Sequence, residues 1–163
     1  MPHLLGPVHF AAALVALAGG ALVLWRRKGT AAHRRLGWTY VVAMLVLNVT
    51  ALLIYRLTGR FGPFHVAALI SLATLVAGIV PAWRRRPANW LDRHYFFMAY
   101  SYVGLLAAAV AETASRVAVV QEVAGGPSPA FWITVAVVSA MVFVVGSRVV
   151  KGRAERTMRP FRR

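Results

Sequence analysis

Apolar residues occur along the chain in five long runs, which short polar or turn-forming segments separate. Each run is close to the roughly 20 residues that an α-helix needs to cross a hydrocarbon core of about 30 Å. Unpaired backbone groups are not tolerated in lipid, so each run must be helical. The pattern therefore predicts an all-α membrane protein with five transmembrane helices, over about 7–25, 33–56, 64–83, 92–120 and 129–150, followed by a basic tail at 151–163.

The composition supports lipid as the solvent of this chain. Of its 163 residues 60% are hydrophobic, and the mean hydropathy is +0.65, which is more apolar surface than a soluble domain of this size can bury. The absence of cysteine excludes disulfides, thiolate metal sites and cysteine nucleophiles. The N-terminal sequence MPHLLGP has no positively charged region and no convincing cleavage site after the apolar run, so we expect the first helix to be retained.

The distribution of positive charge predicts the orientation. Nineteen Lys and Arg against four Asp and Glu give a formal charge of +15. Nine of the basic residues lie in or beside the first and third connections between helices, and seven lie from Arg148 onward, all expected on one side of the membrane. Three, Arg56, Arg60 and Arg116, lie toward the opposite side. By the positive-inside rule the N-terminus is outside and the tail is cytoplasmic. We interpret the tail as an anchor near anionic lipid rather than a nucleic-acid site.

The first two helical hairpins resemble a tandem repeat. Pro7-Val8-His9 corresponds to Pro63-Phe64-His65, Trp25–Lys28 corresponds to Trp83–Arg86, and His33 corresponds to His94. The offsets of these three pairs are 56, 58 and 61 residues. Each unit crosses the membrane twice, so the repeat predicts pseudo-two-fold symmetry about the membrane normal. We expect a four-helix core of two tandem hairpins, with helix five as a peripheral capping or oligomer-forming element.

Four of the five histidines are expected in the first turn of successive helices. The repeat places His9 and His65 at the outer face and His33 and His94 at the inner face. Glu112 follows His94 by 18 residues, five whole turns, and therefore lies on the same helix face toward the outer side. Asn48 and Arg116 are predicted in the same outer layer. Ionisable groups at membrane depth favour a functional role, although contacts with lipid headgroups, a Glu112–Arg116 pair and helix packing by Asn48 would also explain them.

Two cofactor chemistries suit these side chains. Bis-histidine ligation of haem b needs one neutral imidazole from each of two facing helices, with the other ring nitrogen held by a hydrogen bond. His9 with His65, and His33 with His94, would then hold two haems stacked across the membrane. The alternative is a zinc or copper site of His9, His65 and Glu112 with a coordination position left to water, as in a hydrolase. An accessory subunit of a membrane complex, without a cofactor, is the third interpretation.

Two resemblances add to these expectations. The stretch HRRLGWTYVVAMLVLNVTALLIYRLTGRFGPFHVAALISLATLVAG, followed by HYFFMAYSYVGLLAAAVAETASR, resembles a bacterial family of small membrane proteins of unknown function, over roughly residues 5 to 150. Its motifs are HRxxG, here His33-Arg34 to Gly37, and FH, here Phe64-His65. A looser resemblance, in the alternation of histidines over helices one to four, is to two-haem transmembrane cytochrome b proteins, whose ligands lie deeper inside their helices.

The sequence thus favours a b-type haem protein that carries electrons across or within the bilayer, as an electron carrier or as a membrane oxidoreductase. The resemblance implies a multi-pass protein of the bacterial inner membrane. Membrane lipid is the expected partner, a redox or complex partner protein and a homo-oligomer stay open, and nucleic acid is not expected. Substrate and redox partners are not predicted.

Overall fold

The computed structural model describes residues 2–55, 59–121 and 128–161, with side chains described for 4–55, 59–114 and 128–161. These residues form five α-helices and no strand: α1 (Pro2–Trp25), α2 (Ala31–Leu53), α3 (Pro63–Arg84), α4 (Trp90–Gln121) and α5 (Pro129–Met158), with a short 3₁₀ turn at Arg159–Phe161. All five are long and apolar enough to cross a membrane. The prediction of an all-α protein with five transmembrane helices is therefore confirmed.

Two helices extend beyond the apolar runs. Helix α1 begins at Pro2, so Pro7 lies inside it and His9 lies two turns from the helix start rather than in the first turn. Helix α5 continues through the basic segment to Met158. After Val150 the sequence holds no proline before Pro160, and its lysine and arginine residues favour helix. Most of the tail therefore continues the last transmembrane helix.

The chain divides into two compact units, Met1–Ala77 and Gly78–Arg163, with the boundary inside α3. In the first unit α1 packs along α2. The contact surface of α1 consists of small residues that are buried, Ala12, Ala16, Gly19 and Gly20, and that of α2 includes the fully buried Met44. Small side chains let the two backbones approach closely, which is how helices associate in lipid.

In the second unit α4 packs along α5. Ala99, Val103 and Val150 form a buried apolar cluster, and the Tyr95 hydroxyl donates a hydrogen bond to the Val150 carbonyl over 2.9 Å. Gly146 allows the two helices to approach closely, because a Cβ atom there would lie 2.6 and 2.7 Å from the two methyl carbons of Val103. Outside this contact most of the α5 surface is exposed.

Side-chain hydrogen bonds cap the starts of α2 and α5 and the end of α1. The hydroxyl of Thr30 accepts a hydrogen bond from the His33 N–H, and Ser128 caps α5 in the same way through Phe131. At the other end of α1, the Lys28 ammonium donates to the carbonyls of Val23 and Leu24 at 2.7 and 2.8 Å. Burial lowers the pKa of this lysine below its ordinary value.

Candidate histidine sites

His9 is held by a hydroxyl group of the neighbouring helix. Its Nδ1 lies 3.0 Å from the Oγ1 of Thr50 on α2, and Thr50 is buried. The Thr50 hydroxyl also lies 2.8 and 2.9 Å from the Val46 and Leu47 carbonyls, either of which can accept its single proton. In that arrangement the Thr50 oxygen accepts a hydrogen bond from Nδ1 of His9, which then carries the ring proton. In the neutral ring the lone pair then resides on Nε2, the nitrogen that a metal would bind.

His94 has the same arrangement in the second unit, with a different acceptor. Its Nδ1 lies 3.0 Å from the carbonyl oxygen of Gly78 on α3. A carbonyl can only accept, so Nδ1 of His94 also carries the proton and Nε2 the lone pair. Gly78 also allows α4 to lie close, because a Cβ at this position would be 2.8 Å from the Met98 sulfur and 3.1 Å from its backbone nitrogen.

His65 is arranged in the opposite way. The backbone N–H of Gly62 donates to Nδ1 of His65 over 3.1 Å, so Nδ1 is the acceptor and the proton of the neutral ring is on Nε2. Gly62 precedes the first residue of α3, and His65 is the third residue of the helix, so this bond has the geometry of a capping box with histidine in place of glutamate. His65 therefore closes the start of its own helix.

The Nε2–H group of His65 is buried and has no hydrogen-bond partner among the described residues. The side chain is only 4% exposed. The rings of Tyr55 and Phe61 contact it, with centroid separations of 4.5 and 5.0 Å. Leaving a buried donor unbonded costs about 1–3 kcal/mol. Such a group requires an explanation, and a ligand that accepts its hydrogen bond is one.

The other predicted site residues have these positions. His33 is half-buried, and its backbone N–H is bonded to the Thr30 cap. Asn48 is buried, and its Nδ2 donates to the Met44 carbonyl of the same helix over 2.7 Å. Glu112 is half-buried on α4, whereas the side chain of Arg116 lies outside the described residues, so the predicted Glu112–Arg116 pair does too.

Among the described side chains, no three or more histidine, aspartate or glutamate residues converge into a metal-binding group. His9 and His65 both belong to the first unit, and His94 and Glu112 to the second. The alternative set of His9, His65 and Glu112 draws on both units and stays a prediction. The structure gives two imidazoles, one in each unit, whose Nδ1 atom takes part in a hydrogen bond.

A family model described as "Predicted membrane protein (DUF2306)" matches residues 6–150. The chain belongs to the DUF2306 family. This confirms the family resemblance drawn from the sequence, and it agrees with the five apolar helices. The family description gives no activity, and neither a curated protein nor a solved structure matches the chain. Function in this DUF2306 protein must therefore be argued from its own side chains.

Sequence reasoning missed the three groups that fix the rings. Thr50 could have been found, because it is one of few polar residues in an apolar helix and follows Asn48 by two positions. The Gly62 N–H and the Gly78 carbonyl carry no sequence signal, since every residue has a carbonyl and nearly every residue an N–H. Without them the four histidines appeared equivalent, and in the structure the Nδ1 of His65 accepts a hydrogen bond whereas the Nδ1 atoms of His9 and His94 lie against oxygen atoms.

Proposed function

We propose that this protein is a b-type haem-binding electron carrier of the bacterial inner membrane, with its N-terminus outside. His9 supplies an axial ligand at the outer level and His94 one at the inner level, each through Nε2. The sequence pairs them with His65 and His33 as candidate second ligands. When bound, haem supplies the one-electron chemistry of its iron.

The observation that carries the proposal is the hydrogen bond at Nδ1 of His9 and of His94. Histidines that bind metals almost always donate their other ring N–H to a carboxylate, a carbonyl or a similar acceptor, which fixes the tautomer and the ring orientation. Thr50 and Gly78 have this role here, at 3.0 Å in each case. An imidazole that merely contacted lipid headgroups would not need a buried threonine or a helix carbonyl as its acceptor.

The depth of His9 adds support. The first membrane span begins at Leu4, so His9 lies five residues inside it, about 7.5 Å along the helix axis. His94 lies four residues inside the span that begins at Trp90, about 6 Å. Histidine is costly in hydrocarbon and is found there mainly where it pairs or serves function. The chain's own contribution is to orient each half-buried ring through the hydrogen bond at its Nδ1.

The test is the absorption spectrum of the full chain, purified in mild detergent from cells supplied with a haem precursor. We expect a Soret band that sharpens on reduction by dithionite, with haem quantified as the pyridine complex. His9→Ala and His94→Ala should each lower the haem bound per chain. His3→Ala is the matched control, because His3 lies outside the repeat, and it should keep the haem content of the parent.

Other outcomes would overturn the proposal. Colourless protein with stoichiometric zinc or copper would favour the metal site, and loss of that metal in Glu112→Ala would identify its ligand set. Colourless, metal-free protein that copurifies with a larger membrane complex would indicate an accessory subunit. Haem content that is unchanged in both His9→Ala and His94→Ala would remove the assigned ligands even if the protein is coloured.

A further inference from the structure

We propose that the predicted cytoplasmic end of the second unit is a binding surface for anionic phospholipid headgroups, formed by the basic extension of α5 together with the start of α4. The extension is the segment 151–158, which is helical and continuous with the transmembrane part of α5. Its charges are therefore carried on a helix that packs along α4, and not on a loose tail. The inference goes beyond the proposed function and does not depend on haem.

One face of the extension is buried and the rest is basic. Val150, Ala154 and Met158 are buried, and their spacing of four residues puts them on one side of the helix. The exposed basic residues of this segment and the following turn are Lys151, Arg153, Arg156 and Arg159. Glu155 is the one acidic residue in the sequence from 148 to 161. The exposed surface of the extension therefore carries a strong excess of positive charge.

Contacts between α4 and α5 show what lies beside the extension. The two helices run antiparallel, since Val103 lies against Gly146 whereas the earlier residue Tyr95 bonds to the later residue Val150. Residues that follow Val150 therefore lie beside the first residues of α4. Phe161 agrees with this register, because it lines a shallow cavity together with residues 88–92.

This register places the basic side chains at the depth of the lipid headgroups. Trp90 begins the α4 span and lies about 7.5 Å along the axis before Tyr95, and both residue types prefer the membrane–water interface. Arg156 follows Val150 by about 9 Å along α5. Side chains of a helix incline toward its N-terminus, which for α5 is toward the bilayer. The guanidinium groups of the extension therefore reach into the headgroup layer.

The segment that leads into α4 adds to the positive charge. Arg84–Arg86 and Arg93 are exposed, and Asp92 is the one acidic residue in the sequence from 84 to 93. With the four exposed basic residues of the α5 end, this makes eight basic against two acidic residues at one end of the unit. Like charges at this density repel one another.

Anionic headgroups supply the missing negative charge. Arginine binds phosphate oxygens in bidentate fashion, and each basic residue near an anionic membrane surface gains attraction. A soluble acidic protein would have to displace headgroups to reach side chains at this depth. The geometry therefore favours lipid over a protein as the occupant of this surface.

Native mass spectrometry of the full chain in mild detergent tests the inference, with dioleoyl phosphatidylglycerol and dioleoyl phosphatidylcholine as probes. The two lipids share their acyl chains and differ in headgroup charge, so we expect tighter binding of the first phosphatidylglycerol. Combining Arg153→Gln and Arg156→Gln should weaken this binding about fivefold for each charge removed and leave phosphatidylcholine unaffected. Arg60→Gln, the same substitution at an exposed position of the first unit, is the matched control and should bind like the parent.

A charge-preserving variant separates the charge from the fold. Combining Arg153→Lys and Arg156→Lys should retain most of the affinity, and circular dichroism of the glutamine variant should match the parent because both positions are exposed. Equal affinities of the parent for the two lipids, or unchanged phosphatidylglycerol binding in the glutamine variant, would overturn the inference. A copurifying acidic protein that is lost in the glutamine variant, with lipid binding unchanged, would assign the surface to that protein instead. None of these readouts involves haem, so the proposed function stands or fails separately.

Discussion

The contact between α4 and α5 allows a packing prediction with a magnitude. Gly146→Ala places a methyl group 2.6 and 2.7 Å from the two γ-carbons of Val103. Ordinary contacts begin near 3.4 Å, so each pair of atoms must separate by 0.7–0.8 Å. Val103 is buried and β-branched, so it has little freedom to rotate away, and such overpacking costs about 1–3 kcal/mol.

Gly152→Ala is the matched control, because it lies on the same helix and a Cβ there meets nothing within 4 Å. Replacing glycine by alanine within a helix gains about 0.5–1 kcal/mol in either variant, so this gain cancels in the comparison. Gly146→Ala should therefore be about 1–3 kcal/mol less stable than Gly152→Ala. The assay is thermal unfolding in detergent, followed by circular dichroism, in which each kcal/mol moves the midpoint by roughly 2–4 °C. Equal midpoints for the two variants would refute the close helix approach.

Two further predictions concern the ring acceptor and the topology. Thr50→Val removes the acceptor of the His9 Nδ1–H at nearly constant volume, and we expect haem affinity to fall about 10–100-fold. Thr39→Val changes an exposed position of the same helix and should leave haem affinity unchanged. Equal haem affinities of the parent and Thr50→Val would show that Thr50 has no such role. Because the chain has no cysteine, a membrane-impermeant maleimide should label Arg60→Cys in intact cells and Arg153→Cys only after permeabilisation, and the reverse pattern would invert the topology.

The fold was predictable because lipid leaves few alternatives. Five apolar runs of sufficient length required five helices. The ends that extend past the apolar runs were less predictable. The start of α1 at Pro2 and the end of α5 at Met158 lie beyond the apolar runs, where hydropathy gives no signal.

The candidate site was predictable in its residue types and not in its chemistry. The sequence indicated His9, His65 and His94 through their repeat, and each of them is a side chain with a specific hydrogen bond. Which ring nitrogen carries the proton depends on the neighbouring donor or acceptor, and in two of the three cases that neighbour is a backbone group. Equal sequence motifs can thus present opposite nitrogens.

Gly78 both orients a histidine side chain and allows close helix packing. Its carbonyl orients the His94 ring, and its lack of a side chain lets Met98 and the α4 backbone approach. A single substitution there would push the helix outward and carry the imidazole away from its acceptor at once. Stability and ring orientation at this end of α4 therefore cannot be tuned independently, which leaves evolution few routes for altering one without the other.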